Sequence, residues 1–510
     1  MKIMHRNFSK EFAFIVCIFF LQSCNTYEGD TLSIDDETGT AFSVPTPTIE
    51  LPPENSGEPF ASTTFFDLAQ LGYMKAEYFI SGTANAYINS NEFASNGYWE
   101  VEAAESAEYK TRILVYQPID ANDFNGTVVM EWLNVSGGLD AAVDWVTAHN
   151  ELIEQGYAWV GVSAQYAGVE GGGILSVVAL ALKTLNSTRY GSLNHPGDSF
   201  SYDIFSQAAR GITSPAAIDP MEGRQVKQMI AAGESQSAYR LMTYINAFAT
   251  KWQLFDGYFV HSRVGSSAPL SEAPQTIVNS PSAVFARNDL DVPVMMLQTE
   301  TDLFILESYA SRQADSDQFR LWEVAGASHA DAYTTVVGFS DTGDDSSIAN
   351  IITTTDPVPG IISCDLNINS GPQHFVVRAA IAALDKWIKT GEAPTKAARL
   401  EVTGDPAAFV KDAHGNVVGG VRTPYVDVPT AVLSGEGQSG DNEICFLFGT
   451  TALFDDTKLT ELYADHASYV EAVRESTERA VESGFILEND GKLIIEAAEK
   501  SLVATTGSSE

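Results

Sequence analysis

Seven short apolar runs, separated by segments of helix length, constrain this chain more than any other feature. They cover residues 109–116, 126–133, 158–162, 228–232, 257–261, 292–297 and 319–324. Runs this short and apolar suit strands buried on both faces, and the spacers between them predict a mostly parallel sheet with crossover helices. Right-handed crossovers carry the C-terminal end of each parallel strand to one edge of the sheet, where functional residues collect. The predicted class is therefore α/β, with helices on both faces of a central sheet.

Three stretches break the rhythm. Residues 166–223 include the turn-rich Asn186-Ser-Thr-Arg-Tyr-Gly-Ser-Leu-Asn-His-Pro-Gly197 and are expected to form a cap insertion. Residues 339–370 read as a second, polar insertion. Residues 459–502 place Leu459, Leu462, Tyr463, Tyr469, Val470 and Val473 at helical spacing, which predicts a helical C-terminal extension.

The first sixty residues carry a different signal. Lys2, His5, Arg6 and Lys10 precede the apolar run 12–20, and Leu21-Gln-Ser-Cys24 follows it. The run has the length of a signal-peptide core and is short for a spanning helix. Residues 1–23 are thus expected to be a lipoprotein-type signal peptide, with Cys24 lipidated and residues 24–60 a polar tether. The chain would then be exported and lipid-anchored in a bacterial cell envelope, with no other contact to the membrane. Cys364 and Cys445 would be the remaining thiols; in an oxidising compartment they form one disulfide, or else stay as two buried thiols. A net charge of −38 speaks against a nucleic acid partner, since both would be polyanions. No CxxC or HExxH spacing offers a metal site, and no cofactor is expected.

Chemistry concentrates at Gly233-Glu-Ser-Gln-Ser237, which follows an apolar strand and opens a helical stretch. A serine on such a sharp strand-to-helix turn needs small residues two positions before and after it, and Gly233 and Ser237 supply them. Ser235 is the expected nucleophile. Further along, Val294-Met-Met-Leu-Gln-Thr-Glu-Thr-Asp302 is a strand entering an acidic loop. Phe319-Arg-Leu-Trp-Glu-Val-Ala-Gly-Ala-Ser-His329 is a strand entering a loop that ends on histidine. Serine, acid and histidine in this order, each after a strand, predict a triad of Ser235, Asp302 and His329, with Glu300 as the alternative acid. The oxyanion donors are expected to be the backbone amides of Gln236 and of Val135, the latter in the loop Asn134-Val-Ser-Gly-Gly138. His261 is expected to be structural and Asp331 a solvated loop residue.

Several blocks together resemble the bacterial "alpha/beta hydrolase domain" family. They are Glu131-Trp-Leu-Asn-Val-Ser-Gly-Gly138, Arg189-Tyr-Gly-Ser-Leu-Asn-His-Pro-Gly197, Gly233-Glu-Ser-Gln-Ser237, Thr299-Glu-Thr-Asp302, Ser328-His-Ala-Asp331, Asn369-Ser-Gly-Pro-Gln-His374 and Cys445-Phe-Leu-Phe-Gly449. The resemblance implies an α/β-hydrolase fold, supports Ser235 and His329, and makes residues 61–505 one domain. The expected activity is carboxylic ester hydrolysis through an acyl-enzyme, on a small-molecule or carbohydrate-linked ester. An amide or lactone hydrolase, or a silent binding protein on the same scaffold, are the alternatives.

Overall fold

The computed structural model describes residues 43–172 and 180–505. The signal peptide and the Cys24 lipidation site expected above lie outside the described residues. Nine strands form one sheet: β1 (Thr48–Glu50), β2 (Tyr73–Asn89), β3 (Val101–Pro118), β4 (Thr127–Trp132), β5 (Ala158–Val162), β6 (Gln228–Glu234), β7 (Gly257–His261), β8 (Val294–Thr299) and β9 (Phe319–Val324). Their order is β1-β2-β3-β5-β4-β6-β7-β8-β9. From β5 to β9 all neighbours run parallel, while β1, β2 and β3 form an antiparallel wing joined to β5.

The parallel strands read as continuous apolar runs because both faces are covered. Helices α1 (Val143–Glu154) and α4 (Gln373–Thr390) cover one face. Helices α2 (Ser201–Thr213) and α3 (Gln236–Ala247) cover the other. Successive residues point to opposite faces, so Met229, Ala231, Tyr258, Val260, Met296 and Leu321 join the second core. Ile230, Ala232, Phe259, Leu297 and Trp322 join the first. Helices α5 (His466–Glu482) and α6 (Glu488–Lys500) pack on each other through Tyr469, Val473, Ala480, Ile494 and Ala498, giving the helical C-terminal part.

Two expected boundaries are corrected. The tether predicted over 24–60 gives way to packed structure from Ser43 onward. Thr48–Glu50 pairs with Ser81, Ile80 and Phe79 and shields the edge of β2 from unwanted strand pairing. The Arg112 guanidinium also donates to the Phe60 carbonyl. A polar segment can be ordered in this way when its backbone completes a sheet, a gain that composition does not reveal. The cap predicted over 166–223 also contains a core helix. Nearly every residue of α2 is buried, with Phe205 at 4.7 Å from the Trp132 ring. Arg189 lies in a buried ion cluster. It meets Glu77 at 2.6 Å, while Arg112 meets Glu77 at 2.9 Å and Asp140 at 2.8 Å. Each charge there is matched by partners, which buried ions require.

Candidate active site

Ser235 sits where β6 turns into α3. Its backbone is at φ 56° and ψ −116°, a region non-glycine residues rarely occupy. The turn is held by the Ser235 amide, which donates to the His261 carbonyl at 2.9 Å. Gly233 sits where space is tight, because a Cβ there would lie 3.0 Å from the Ser237 carbonyl carbon. This close approach explains the spacing of small residues around the serine.

Two neighbouring loops complete the constellation. The His329 Nε2 lies 2.8 Å from Ser235 Oγ, and its Nδ1 lies 2.7 Å from Asp302 Oδ1. Asp302 is fixed in turn, since its Oδ2 accepts from the Thr299 amide at 2.7 Å in a capping box at the short helix Glu300–Phe304. His329 is buried, which disfavours its cation, but the Asp302 hydrogen bond and charge, with the Glu234 charge, outweigh burial and raise its pKa above the ordinary 6.5. Glu300 is engaged elsewhere. Its oxygens accept from the Gly326 amide at 2.7 Å and the Gly435 amide at 2.9 Å, and burial pushes its pKa up to about 7. It bolts the end of β8 to the turn after β9, whereas the contact to the imidazole is made by Asp302.

The two expected oxyanion donors, Gln236 and Val135, belong to segments that meet the Ser235 turn. Gln236 opens α3 directly after it. The loop bearing Val135 is tied to the elbow by Asn134, whose Nδ2 donates to the Glu234 carbonyl at 3.2 Å and to Glu234 Oε2 at 3.0 Å. Asn134 Oδ1 accepts from the Ser136 amide at 2.8 Å, which shapes the turn. Glu234 was not singled out by sequence, although it stands beside Ser235 in the motif. Its Oε1 lies 3.5 Å from His329 Nε2.

His261 ends β7 one strand away, is fully buried, and has Nδ1 at 2.8 Å from Asp144 Oδ1. Gln373 Nε2 donates to its Nε2 at 3.2 Å, and burial lowers its pKa to about 4. His149 and His195 contact backbone carbonyls, and His374 stacks on Tyr333 with ring centroids 3.8 Å apart. Asp331, expected to be solvated, is fully buried. Its Oδ1 accepts from the Thr334 amide at 2.9 Å, and burial raises its pKa to about 6. A loop residue of this kind is drawn inward by a local turn that only the fold reveals.

Cys364 and Cys445 are bonded, with Cα atoms 5.7 Å apart. Their loops frame the segment after His329. The Ala330 amide donates to the Leu447 carbonyl at 3.0 Å, and the Ala332 amide to the Asn369 carbonyl at 2.8 Å. Among the described residues, no group of three or more His, Cys, Asp or Glu could hold a metal ion, and no helix is long and apolar enough to cross a membrane.

Among solved structures, the chain is similar to the cell wall degrading esterase LipA from Xanthomonas oryzae at 10% identity. That match covers 55% of this chain and 90% of the other, with a TM-score of 0.30. It is similar to a thermostable esterase from Pseudomonas putida ECU1011 at 13% identity, covering 48% and 70%, with a TM-score of 0.27. The carboxylesterase Cest-2923 from Lactobacillus plantarum WCFS1 matches at 12% identity over 42% and 72%, with a TM-score of 0.24. A search of curated proteins finds no match. A family model described as an alpha/beta hydrolase domain matches residues 43–496, almost the whole described chain, and the protein belongs to that family.

Proposed function

We propose that the protein is a serine hydrolase of carboxylic esters that works through an acyl-enzyme. The observation that carries this reading is the unbroken chain of contacts from Ser235 Oγ through His329 to Asp302, at 2.8 and 2.7 Å. In the first half-reaction Ser235 Oγ attacks the ester carbonyl while His329 Nε2 takes its proton. The tetrahedral oxyanion is held by the Gln236 and Val135 amides. His329 then protonates the departing alcohol, leaving the acyl group on Ser235. Water attacks that acyl group with His329 again as base, His329 returns the proton to Ser235 Oγ as its bond to the acyl carbon breaks, and the acid leaves and ionises in water. Asp302 orients the imidazole and supports its cation throughout. Small-molecule or carbohydrate-linked esters are the proposed substrates.

We also propose export and lipid anchoring at Cys24. The Cys364–Cys445 bond supports an oxidising compartment, since such bonds are rare in the cytosol.

Ser235→Ala should abolish hydrolysis of p-nitrophenyl and sugar esters and labelling by a fluorophosphonate, with the melting temperature little changed. Retained turnover in that variant removes Ser235 from the mechanism. Fluorophosphonate labelling of the native protein without ester turnover would direct the search to amides or lactones, and no labelling would favour a binding protein.

A further inference from the structure

His329 faces two carboxylates, not one. Asp302 holds Nδ1, and Glu234 Oε1 stands 3.5 Å from Nε2, the same atom that receives the Ser235 proton. Glu234 is well placed to stay there. Its side chain is only 6% exposed, its other oxygen accepts from Asn134 Nδ2 at 3.0 Å, and its backbone is the last residue of β6. We propose that Glu234 is a second carboxylate for His329, a positioning residue that supports the imidazolium from the Nε2 side while Asp302 supports it from Nδ1. The inference rests on the hydrolase reading above.

The chemistry follows from where the proton goes. When Ser235 Oγ attacks, its proton passes to Nε2 and the ring becomes a cation. An anion at 3.5 Å lowers the energy of that cation without taking the proton from it, because the hydrogen-bond geometry at Nε2 belongs to the serine and to the substrate oxygen. A neutral Glu234 does the opposite. Its carboxylic O–H can donate to the Nε2 lone pair and compete with the Ser235 hydroxyl. The resting base therefore needs two protons absent, one from His329 and one from Glu234.

The surroundings bring the loss of the Glu234 proton near neutral pH. Burial raises the Glu234 pKa to about 7, with His329 and His261 pulling it down and Asp144 and Asp302 pushing it up. Those charges come from the loop after β9, from β7, from α1 and from the loop after β8, which are the elements packed around it. Asn134, from the loop after β4, contributes a neutral donor. Two groups this close titrate as a pair, so the acid limb should report the pair and not one residue.

The test is the pH profile of kcat/KM for a p-nitrophenyl ester in the native protein and in Glu234→Gln. Glutamine keeps an oxygen for Asn134, so a tethering role alone would survive the change. The native acid limb should fall with a two-proton slope. In Glu234→Gln it should become a one-proton limb with its midpoint lower by about 1 pH unit. At the plateau, kcat should drop roughly 10- to 100-fold with KM within about 3-fold. Glu234→Asp should recover the two-proton slope. An acid limb of unchanged slope and midpoint in Glu234→Gln overturns the proposal, even if kcat is lower. Fluorophosphonate labelling separates the two readings. If the native protein is labelled and the limb does not move, only the second carboxylate is lost. If the native protein is not labelled at all, the hydrolase reading fails and this inference goes with it.

Discussion

Two buried histidines stand one β-strand apart around the elbow, and each has a carboxylate on Nδ1, at 2.7 Å in His329–Asp302 and 2.8 Å in His261–Asp144. The pairs share that geometry but not the charge behind it, since burial pushes the Asp144 pKa up to about 8. They differ at Nε2, where His329 meets Ser235 and Glu234, while His261 meets the Gln373 amide. Their proton affinities diverge: against burial, the Asp302 hydrogen bond and charge and then the Glu234 charge raise His329 above its ordinary value, while burial pushes His261 down to about 4. Burial disfavours the cation in both. Only His329 has enough negative charge at close range to overcome it. The lesson is that a histidine–carboxylate pair holds a proton readily only where the negative charge around both ring nitrogens outweighs burial, and otherwise serves as a polar strut within the core.

Exchanging the two histidines is the sharpest way to break this comparison. His329→Ala should lower kcat/KM by about 10⁵-fold or more, since the members of the proposed triad would act as a unit. His261→Gln should stay within roughly 10-fold of the native rate while costing about 2–4 kcal/mol of stability, because Asp144 loses its partner. Esterase assays and urea unfolding on both variants check this, and equal losses of activity would erase the distinction.

The carboxylates come next. Asp302→Asn should reduce kcat roughly 10³- to 10⁴-fold by presenting the wrong hydrogen-bond partner to Nδ1. Glu300→Gln should reduce it only about 3- to 10-fold through a loosened Gly326 turn, in line with the usual spread for an altered buried hydrogen bond. A steady-state comparison that reverses the order would return the acid role to Glu300.

A third contrast is mechanical. The disulfide braces the loop after His329 and, among the described residues, has no counterpart beside His261. Replacing Cys364 and Cys445 by serine should cost on the order of 4 kcal/mol in the chain-entropy account of a bridge spanning 81 residues. Activity should fall earlier than global structure on heating, followed by parallel esterase and circular dichroism melts. Coincident loss of both would show that the brace serves the whole domain equally.

The smallest effect concerns protons on His261. Its folded pKa lies below its unfolded value, so between about 6.5 and 4 the unfolded chain binds a proton that the native one refuses. This group therefore destabilises the fold as pH falls through that window, by up to about 3 kcal/mol. The penalty is absent above it. The stability gap between native protein and His261→Gln should accordingly narrow from pH 7.5 to pH 4.5 in urea titrations. A constant gap would mean that His261 is not held neutral.

What sequence could convey about this site depended on how local each cue is. Ser235, Asp302 and His329 were legible because each follows a strand within a few residues, and the Gly233 spacing records a steric demand of the turn itself. The roles of Asp302 and Glu300 separate only in three dimensions, where one capping box aims Asp302 at the imidazole and two backbone amides claim Glu300. Glu234 stood inside the motif, yet its partner lies 95 residues further on. The ordering of Thr48–Glu50 and the burial of α2 depend on contacts with β2 and Trp132, which no local pattern encodes. Asp331 was misread for the same reason.

The ion cluster around Arg112 has a bearing on how the site meets a ligand. Asp140, paired with Arg112, closes the far end of the segment that begins at Asn134, and Asn134 is itself fastened to Glu234. The segment is pinned at both ends, so the Val135 amide is fixed in the free protein before anything binds. A mimic of the proposed tetrahedral state would then meet a segment already held in place, and the free energy of ordering that loop would not be drawn from its affinity.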